Sequence, residues 1–173
     1  MKTALQMLSD EHQNILKVID ALLKECNTLE LDKPINNDFF LKSMNFIKNY
    51  ADKFHHAKEE DILFQEFNKC AEKDGTHCNP VEQMFIEHEE GREYVKGMSA
   101  GVQENNKQKI IENARGYARL LQDHIYKEDN ILYPMADEAL DKETKEDMLV
   151  QFEQVNKEMN QEIEKHITFS KTL

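Results

Sequence analysis

Two ten-residue stretches of the chain are closely alike: residues 55–64 read HHAKEEDILF, and residues 124–133 read HIYKEDNILY. At an offset of 69 residues, five of the ten positions are identical, three are close substitutions and two differ. Acidic residues are so common here that one histidine followed four residues later by a glutamate would mean little. Two copies of a single template indicate a duplicated helical unit in which these residues share a role.

A weaker repetition precedes each copy. Glu11-His12 lies in the first apolar helical stretch of the chain, and Glu87-His88 lies in the third. Each half of the chain therefore offers a lone histidine on one helix, followed on the next helix by a histidine and a glutamate.

The spacing within each copy places its two polar side chains on one helix face. His55 and Glu59 are four residues apart, as are His124 and Glu128. Residues four apart on an α-helix lie about 40° apart around its axis, so each pair can reach one point in the interior of a bundle.

Burying four imidazoles and two carboxylates among leucines is costly unless something compensates. A pair of metal ions compensates, because carboxylates from opposite helices can bridge two cations while imidazoles cap them. Imidazole with carboxylate suits iron, manganese or zinc, and the spacing alone does not choose among them. The predicted metal ligands are His12, His55, Glu59, His88, His124 and Glu128.

The helical register leaves two alternatives open. His55 lies close to the apolar stripe of its helix, whereas His56 points about 100° further round, so His55/Glu59 is preferred over His56/Glu60 and His56 is expected at the rim. In the second copy Glu128 matches Glu59, but Asp129 also faces inward and is an alternative ligand.

Apolar residues recur with helical spacing along most of the chain, and no strand pattern competes. Asp38 is the predicted N-cap of the second helix, Asn79 with Pro80 starts the third, and Pro134 ends or kinks the fourth. The predicted helices cover residues 3–27, 38–73, 80–100, about 104–134 and 142–160, with a peripheral tail after Ile163. The fold class is all-α: an antiparallel up-down four-helix bundle (residues 1–140) with an additional C-terminal helix and tail (residues 141–173) packed on or beside it.

Composition narrows the possible functions. The 173 residues include 22 basic and 34 acidic side chains, a formal net charge of −12, which argues against nucleic acid as a partner. The chain shows no signal peptide and no apolar run of bilayer length, so no membrane association is expected. Cys26, Cys70 and Cys78 form neither a disulfide framework nor a zinc motif, and a reducing, cytoplasmic location is expected.

Together these motifs resemble the hemerythrin-like, HHE cation-binding family over about residues 5–135. The resemblance implies a four-helix bundle around two non-haem iron ions, bridged by two carboxylates and an oxide or hydroxide. It assigns the four predicted histidines as terminal ligands, with Glu59 and Glu128 as the bridges.

One position departs from the oxygen-carrying members of this family, which have a fifth histidine four residues before the one on the third helix. Here that position is Met84, and methionine sulfur is a poor ligand for an oxygen-bridged ferric centre. Both irons are therefore expected to keep an open position, unless Tyr117, Glu87 or His56 closes one. Adjacent open positions suit redox chemistry on a small bridging molecule.

The leading hypothesis is a di-iron protein that binds or reacts with small oxidants (O2, H2O2 or NO) in stress defence or sensing, with catalysis left open. An alternative is an iron or oxygen sensor that acts through a protein partner without turnover. A third hypothesis is a metal-free helical interaction protein, whose acidic surface serves solubility.

Overall fold

The computed structural model describes residues 2–74 and 80–173 of the chain, with side chains described up to residue 70 and again from residue 80. Helix α1 is Ala4–Glu30, α2 spans 37–74, α3 is Val81–Gln103, α4 spans 107–139 and α5 is Lys142–Ser170. The described residues form these five helices, of which α1 to α4 make up the bundle and α5 packs against it, and this confirms the predicted all-α class.

Several predicted helix ends are corrected by the capping contacts. The N-cap of α2 is Asn36 rather than Asp38, because the Asn36 side chain accepts a hydrogen bond from the Phe39 amide at 3.2 Å. Helix α4 begins after Asn106, whose side chain caps the Lys109 amide at 3.0 Å. Pro80 directly precedes α3, while Asn79, Cys78 and most of the predicted loop lie outside the described residues.

Helices α2 and α4 change type near the repeated motifs. Helix α2 is π-helical in Ile47–His56 and Glu59–Leu63, and α4 is π-helical in Glu128–Leu132. Pro134 follows the last of these turns without ending the helix, which continues to Ala139. The matching turn in α2 is π-helical without a proline, so Pro134 alone does not cause the change. Short π-helical turns are frequent at functional sites.

The apolar core is divided into two clusters. One packs around Ile15, Ile19 and Phe46, and the other packs around Leu8, Leu63 and Phe152. Along each of the four bundle helices, the buried histidines and glutamates lie between the residues of these two clusters. The polar residues therefore occupy a layer in the middle of the bundle.

Helix α5 is longer than predicted and packs on α1 and α2. The residues after Ile163, predicted as a peripheral tail, continue the helix to Ser170 and are partly buried. The His166 ring lies 5.8 Å from Phe46, and the Ser170 hydroxyl donates to Asn14 at 3.1 Å. No helix in the described ranges is both long and apolar enough to cross a membrane.

Two glycines of α3 are expected to respond in opposite ways when each is replaced by alanine. A Cβ at Gly101 would lie 2.9 Å from the backbone nitrogen of Ile110, whereas a Cβ at Gly91 would make only ordinary contacts of 3.6 Å. Gly101→Ala is expected to lower the free energy of unfolding by about 1–3 kcal/mol, because the α4 backbone must move. Gly91→Ala is expected to raise it by about 0.5–1 kcal/mol through helix propensity. Urea unfolding of both metal-free variants checks this, and equal effects would contradict the close approach at Gly101.

Candidate metal centre

The six predicted ligands meet in the polar layer of the bundle. All are buried, with at most 2% of each side chain exposed. His12 comes from α1, His55 and Glu59 from α2, His88 from α3, and His124 from α4 with Glu128. Each of the helices α1 to α4 thus contributes to one site.

The four imidazoles form two facing pairs. The Nε2 atoms of His12 and His55 are 3.0 Å apart, and those of His88 and His124 are 3.1 Å apart. We call the His12/His55 pair the first position and the His88/His124 pair the second position.

The two glutamates lie between these positions. Glu128 places Oε2 3.2 Å from Nε2 of His12 and Oε1 3.1 Å from Nε2 of His124. Oε2 of Glu59 lies 3.7 Å from Nε2 of both His55 and His88. Each carboxylate therefore faces both positions, as a bridging ligand must.

These carboxylate oxygens are unusual for buried acceptors. Oε2 of Glu59 has no hydrogen-bond partner among the described residues, and the two oxygens of Glu128 face only the Nε2 atoms of His12 and His124, without a well-directed hydrogen bond. Buried polar atoms are nearly always satisfied, and each exception needs an explanation. Cations placed between the oxygens and the ring nitrogens would satisfy all of them, so the donor set fits metal binding.

A carboxylate accepts a hydrogen bond from the outer ring nitrogen of the histidine that begins each repeated motif. Nδ1 of His55 donates to Oε2 of Glu11 at 2.9 Å, and Nδ1 of His124 donates to Oε2 of Glu87 at 2.8 Å. A carboxylate can only accept here, so the inner Nε2 keeps its lone pair for a metal.

The other two histidines are held in the same way. Nδ1 of His12 donates to Asp129 at 3.1 Å, and Nδ1 of His88 donates to Glu60 at 2.6 Å. Asp129 also accepts from the Ser9 hydroxyl at 2.6 Å. Asp129 and Glu87, which the sequence left open as ligands, thus occupy positions behind the histidines.

Two lysines complete these outer contacts. Lys58 and Lys127, three residues after His55 and His124, form ion pairs with Glu11 and Glu87, respectively. The Lys58 ammonium also donates to Asn156 of α5 at 3.2 Å and lies 3.7 Å from the centre of the Phe54 ring. The sequence contains a signal for these ion pairs, because the lysine recurs in both copies of the motif and the glutamate recurs in both Glu-His pairs. The ion pairs themselves were not predicted.

The charge of the centre shifts several ionisation equilibria. Burial disfavours the charged form of His12, yet its hydrogen bond to Asp129 and the nearby Glu128 raise its pKa to about 9. The pKa of His124 is likewise raised to about 9, because Glu128 and Glu87 outweigh burial. Burial and the charge of Glu128 raise the pKa of Glu59 well above its usual range. Without metal ions, protons must therefore balance the buried carboxylates.

Tyr133 makes the two positions different. Its hydroxyl donates to Oε1 of Glu59 at 2.5 Å and lies 3.4 Å from Nε2 of His12, whose ring stacks on the tyrosine ring at 5.7 Å. The equivalent residue of the first repeat is Phe64, whose ring stacks on His88 at 6.0 Å without a hydroxyl. The repeat pairs these two rings, but the role of the hydroxyl was missed in the sequence.

His56 lies beside the second position, and Tyr117 lines the same cavity as His56, His88 and His124. The His56 ring stacks on His88 at 3.9 Å with 13° between the planes, and one of its nitrogens lies within 4.8 Å of ligand atoms of Glu59, His88 and His124. Because the two rings are stacked and nearly parallel, their nitrogens point along separate planes and would not converge on one ion. His56 therefore suits a wall residue better than a ligand. Met84 is buried in the apolar cluster around Leu8.

The helical bundle and its buried layer of histidines and glutamates fit the class of helical cation-binding domains. The chain belongs to the hemerythrin HHE cation-binding domain family, whose model matches residues 3–136. This match confirms the predicted family and ends before α5. No curated protein and no solved structure matches the chain significantly.

Proposed function

We propose that the chain binds two non-haem iron ions, joined by an oxide or hydroxide, and that it binds or reacts with O2, H2O2 or NO in stress defence or sensing. The proposed ligands are those predicted from the sequence: His12, His55, Glu59, His88, His124 and Glu128. When bound, an iron pair supplies the redox chemistry that protein side chains lack.

One observation carries this proposal. Three carboxylate oxygens without a well-directed hydrogen bond and four imidazole nitrogens converge in a buried layer. Two imidazoles, one oxygen from each carboxylate and a bridging oxygen give about five ligands to each ion, whereas iron commonly takes about six. An open position at each ion leaves room for a small oxidant.

The side chains around the ligands support this role in two ways. Glu11 and Glu87 orient His55 and His124 through their outer nitrogens, which keeps the inner nitrogens directed at the ions. The apolar clusters pack on both sides of the layer and limit the approach of water along the bundle axis, which would protect reactive species from side reactions.

Metal analysis tests the proposal directly. Protein produced anaerobically with ample iron is expected to hold about two iron ions per chain, since the ligand set is complete within one chain. Inductively coupled plasma mass spectrometry measures this ratio. Less than about one iron per chain under these conditions would count against the di-iron centre.

An optical spectrum tests the open coordination positions. The oxidised, iron-loaded protein is expected to absorb in the near ultraviolet and to change its spectrum when sodium azide is added. A spectrum that azide leaves unchanged up to millimolar concentration would contradict an accessible open position.

A sensor without turnover is the second candidate, and the contacts of α5 favour it. The Lys58 side chain joins Glu11, which holds His55, to Asn156 of α5. Ion binding at the first position would therefore affect α5 through direct contacts that run from His55 to Glu11 and from Lys58 to α5. Hydrogen peroxide separates the candidates: rapid oxygen release supports an enzyme, and a stoichiometric spectral change without turnover supports a sensor or carrier.

We also propose a cytoplasmic location. The cysteines with described side chains, Cys26 and Cys70, are free thiols, which suits a reducing compartment. Cell fractionation with an antibody against the protein tests this, and recovery outside the cytoplasmic fraction would contradict it.

A further inference from the structure

A cavity of about 370 Å³ opens on one half of the metal centre. It lies between α2, α3 and α4, and its walls include His56, His88 and His124 together with Val95, Tyr117 and Leu121. Neither His12 nor His55 lines it. The cavity therefore reaches the second position, whereas the Tyr133 ring and hydroxyl cover the first position.

The internal repeat shows one difference between the surroundings of the two positions. Gly91 follows His88 by three residues and lines the cavity, whereas Ile15 follows His12 by three residues and is fully buried in the core. The second half thus has a hydrogen atom where the first half has a branched side chain. A methyl group at Gly91 would make ordinary contacts of 3.6 Å with Tyr117 and Leu121, but a larger side chain would extend into the cavity.

Tyr117 contributes an unused hydrogen-bond donor. Its side chain is 2% exposed and lines the cavity, and its hydroxyl has no partner within the part of the chain that the structure describes. An unsatisfied buried hydroxyl costs stability, so its retention calls for an acceptor that the protein itself does not supply. Burial raises the pKa of Tyr117, so the hydroxyl stays protonated and able to donate.

We propose that this cavity is the chamber in which a small ligand reaches the centre, that the ligand binds at the second position, and that the Tyr117 hydroxyl donates a hydrogen bond to it. The ligand class is a molecule of two or three heavy atoms with a hydrogen-bond acceptor, which includes azide as a probe. This inference rests on the proposed function and adds the face of entry and the residue that recognises the ligand.

Residue 91 tests the route of entry. Gly91→Ile gives the second half the side chain that the first half has at this position, and Gly91→Ala is the matched control because a methyl group fits. Sodium azide titrations of the iron-loaded proteins are expected to show at least a tenfold weaker or slower reaction for isoleucine and less than a twofold change for alanine. Iron content is measured first for each protein. A Gly91→Ile protein that holds iron and binds azide like the parent overturns the proposed route.

Tyr117→Phe tests the hydrogen bond. Azide affinity is expected to fall about five- to tenfold, the effect of one hydrogen bond. The control is Tyr94→Phe, a tyrosine of α3 whose ring packs over Gly116 away from the cavity. Without metal, Tyr117→Phe is expected to melt at the same temperature or higher, because the hydroxyl has no partner to lose. Unchanged azide affinity, or a large fall in the melting temperature without metal, overturns the role of Tyr117.

Xenon separates a failure of this inference from a failure of the proposed function, because it needs no iron. Crystals of the metal-free protein under xenon pressure are expected to hold a xenon atom beside Leu121 and Val95, and Gly91→Ile crystals are expected to lack it. If the parent protein binds no iron, the proposed function fails. If xenon enters neither protein, or both equally, the chamber fails whatever the iron content.

Discussion

Replacing both Glu59 and Glu128 by glutamine is expected to abolish the stabilisation that iron gives the protein. One ion that binds only the folded state, at a free concentration a thousand times its dissociation constant, adds about 4 kcal/mol. For a chain of this size that corresponds to roughly 8–16 °C in melting temperature. The double variant should lose this increase, because a neutral amide is a much weaker bridge between two cations. Calorimetry with and without iron measures the difference.

Without metal the two substitutions should act differently. Burial and the charge of Glu128 raise the pKa of Glu59 well above its usual range, so Glu59 is already neutral and its replacement should change the metal-free stability little. Glu128 lies 3.1–3.2 Å from the Nε2 atoms of His12 and His124 and helps to raise the pKa of both to about 9, so its replacement should lower the metal-free stability at neutral pH. Exposed Glu90 and Glu138, changed together to glutamine, are the matched control and should alter neither measurement. A metal-free helical interaction protein predicts nearly unchanged melting in every case.

The second large effect is expected at the buried lysine. Glu11→Leu leaves the Lys58 ammonium, 1% exposed, without its carboxylate. An unpaired buried charge costs about 3–5 kcal/mol, and urea unfolding of the metal-free protein measures the loss. Glu87→Leu is the matched control from the other half, because the Lys127 side chain is 33% exposed and can turn to water. Equal losses at both sites would contradict this account.

Replacing the whole pair separates stability from metal binding. Burial raises the pKa of Glu11 to about 7 although the Lys58 charge and hydrogen bond lower it, so ionising this carboxyl inside the protein is costly. The double change Glu11→Leu with Lys58→Met should therefore recover most of the lost stability. The iron affinity of this double variant should still be about 10–100-fold lower than that of the parent protein, because Nδ1 of His55 has lost its acceptor. Recovery of both properties would mean that the pair does not orient His55.

The convergence of the centre could be predicted because it depends on local geometry and on repetition. A histidine and a glutamate four residues apart share a helix face whatever the tertiary structure. Two copies of the motif then implied two facing half-sites, and the structure brings all six residues together in one buried layer. Their role as metal ligands stays a prediction.

Other features depended on contacts between helices and could not be predicted. Asn36 and Asp38 are both good N-caps, and only the first forms the contact, so the sequence alone did not decide between them. The π-helical turns of α2 and α4 depend on how these helices pack against their neighbours, which the local sequence does not specify. The cavity is enclosed by side chains of three helices, so it depends on how those helices pack and not on any one stretch of sequence.

Each of the two proposed bridging carboxylates faces a histidine from the other half of the chain, and this has a mechanical consequence. Glu59, from the first half, faces His88 of the second, and Glu128, from the second, faces His12 of the first. A filled centre would thus act as a reversible cross-link between residues 2–74 and residues 80–173. Protein cut between α2 and α3 should stay in one piece under mild denaturant while loaded, and should come apart once a chelator is added.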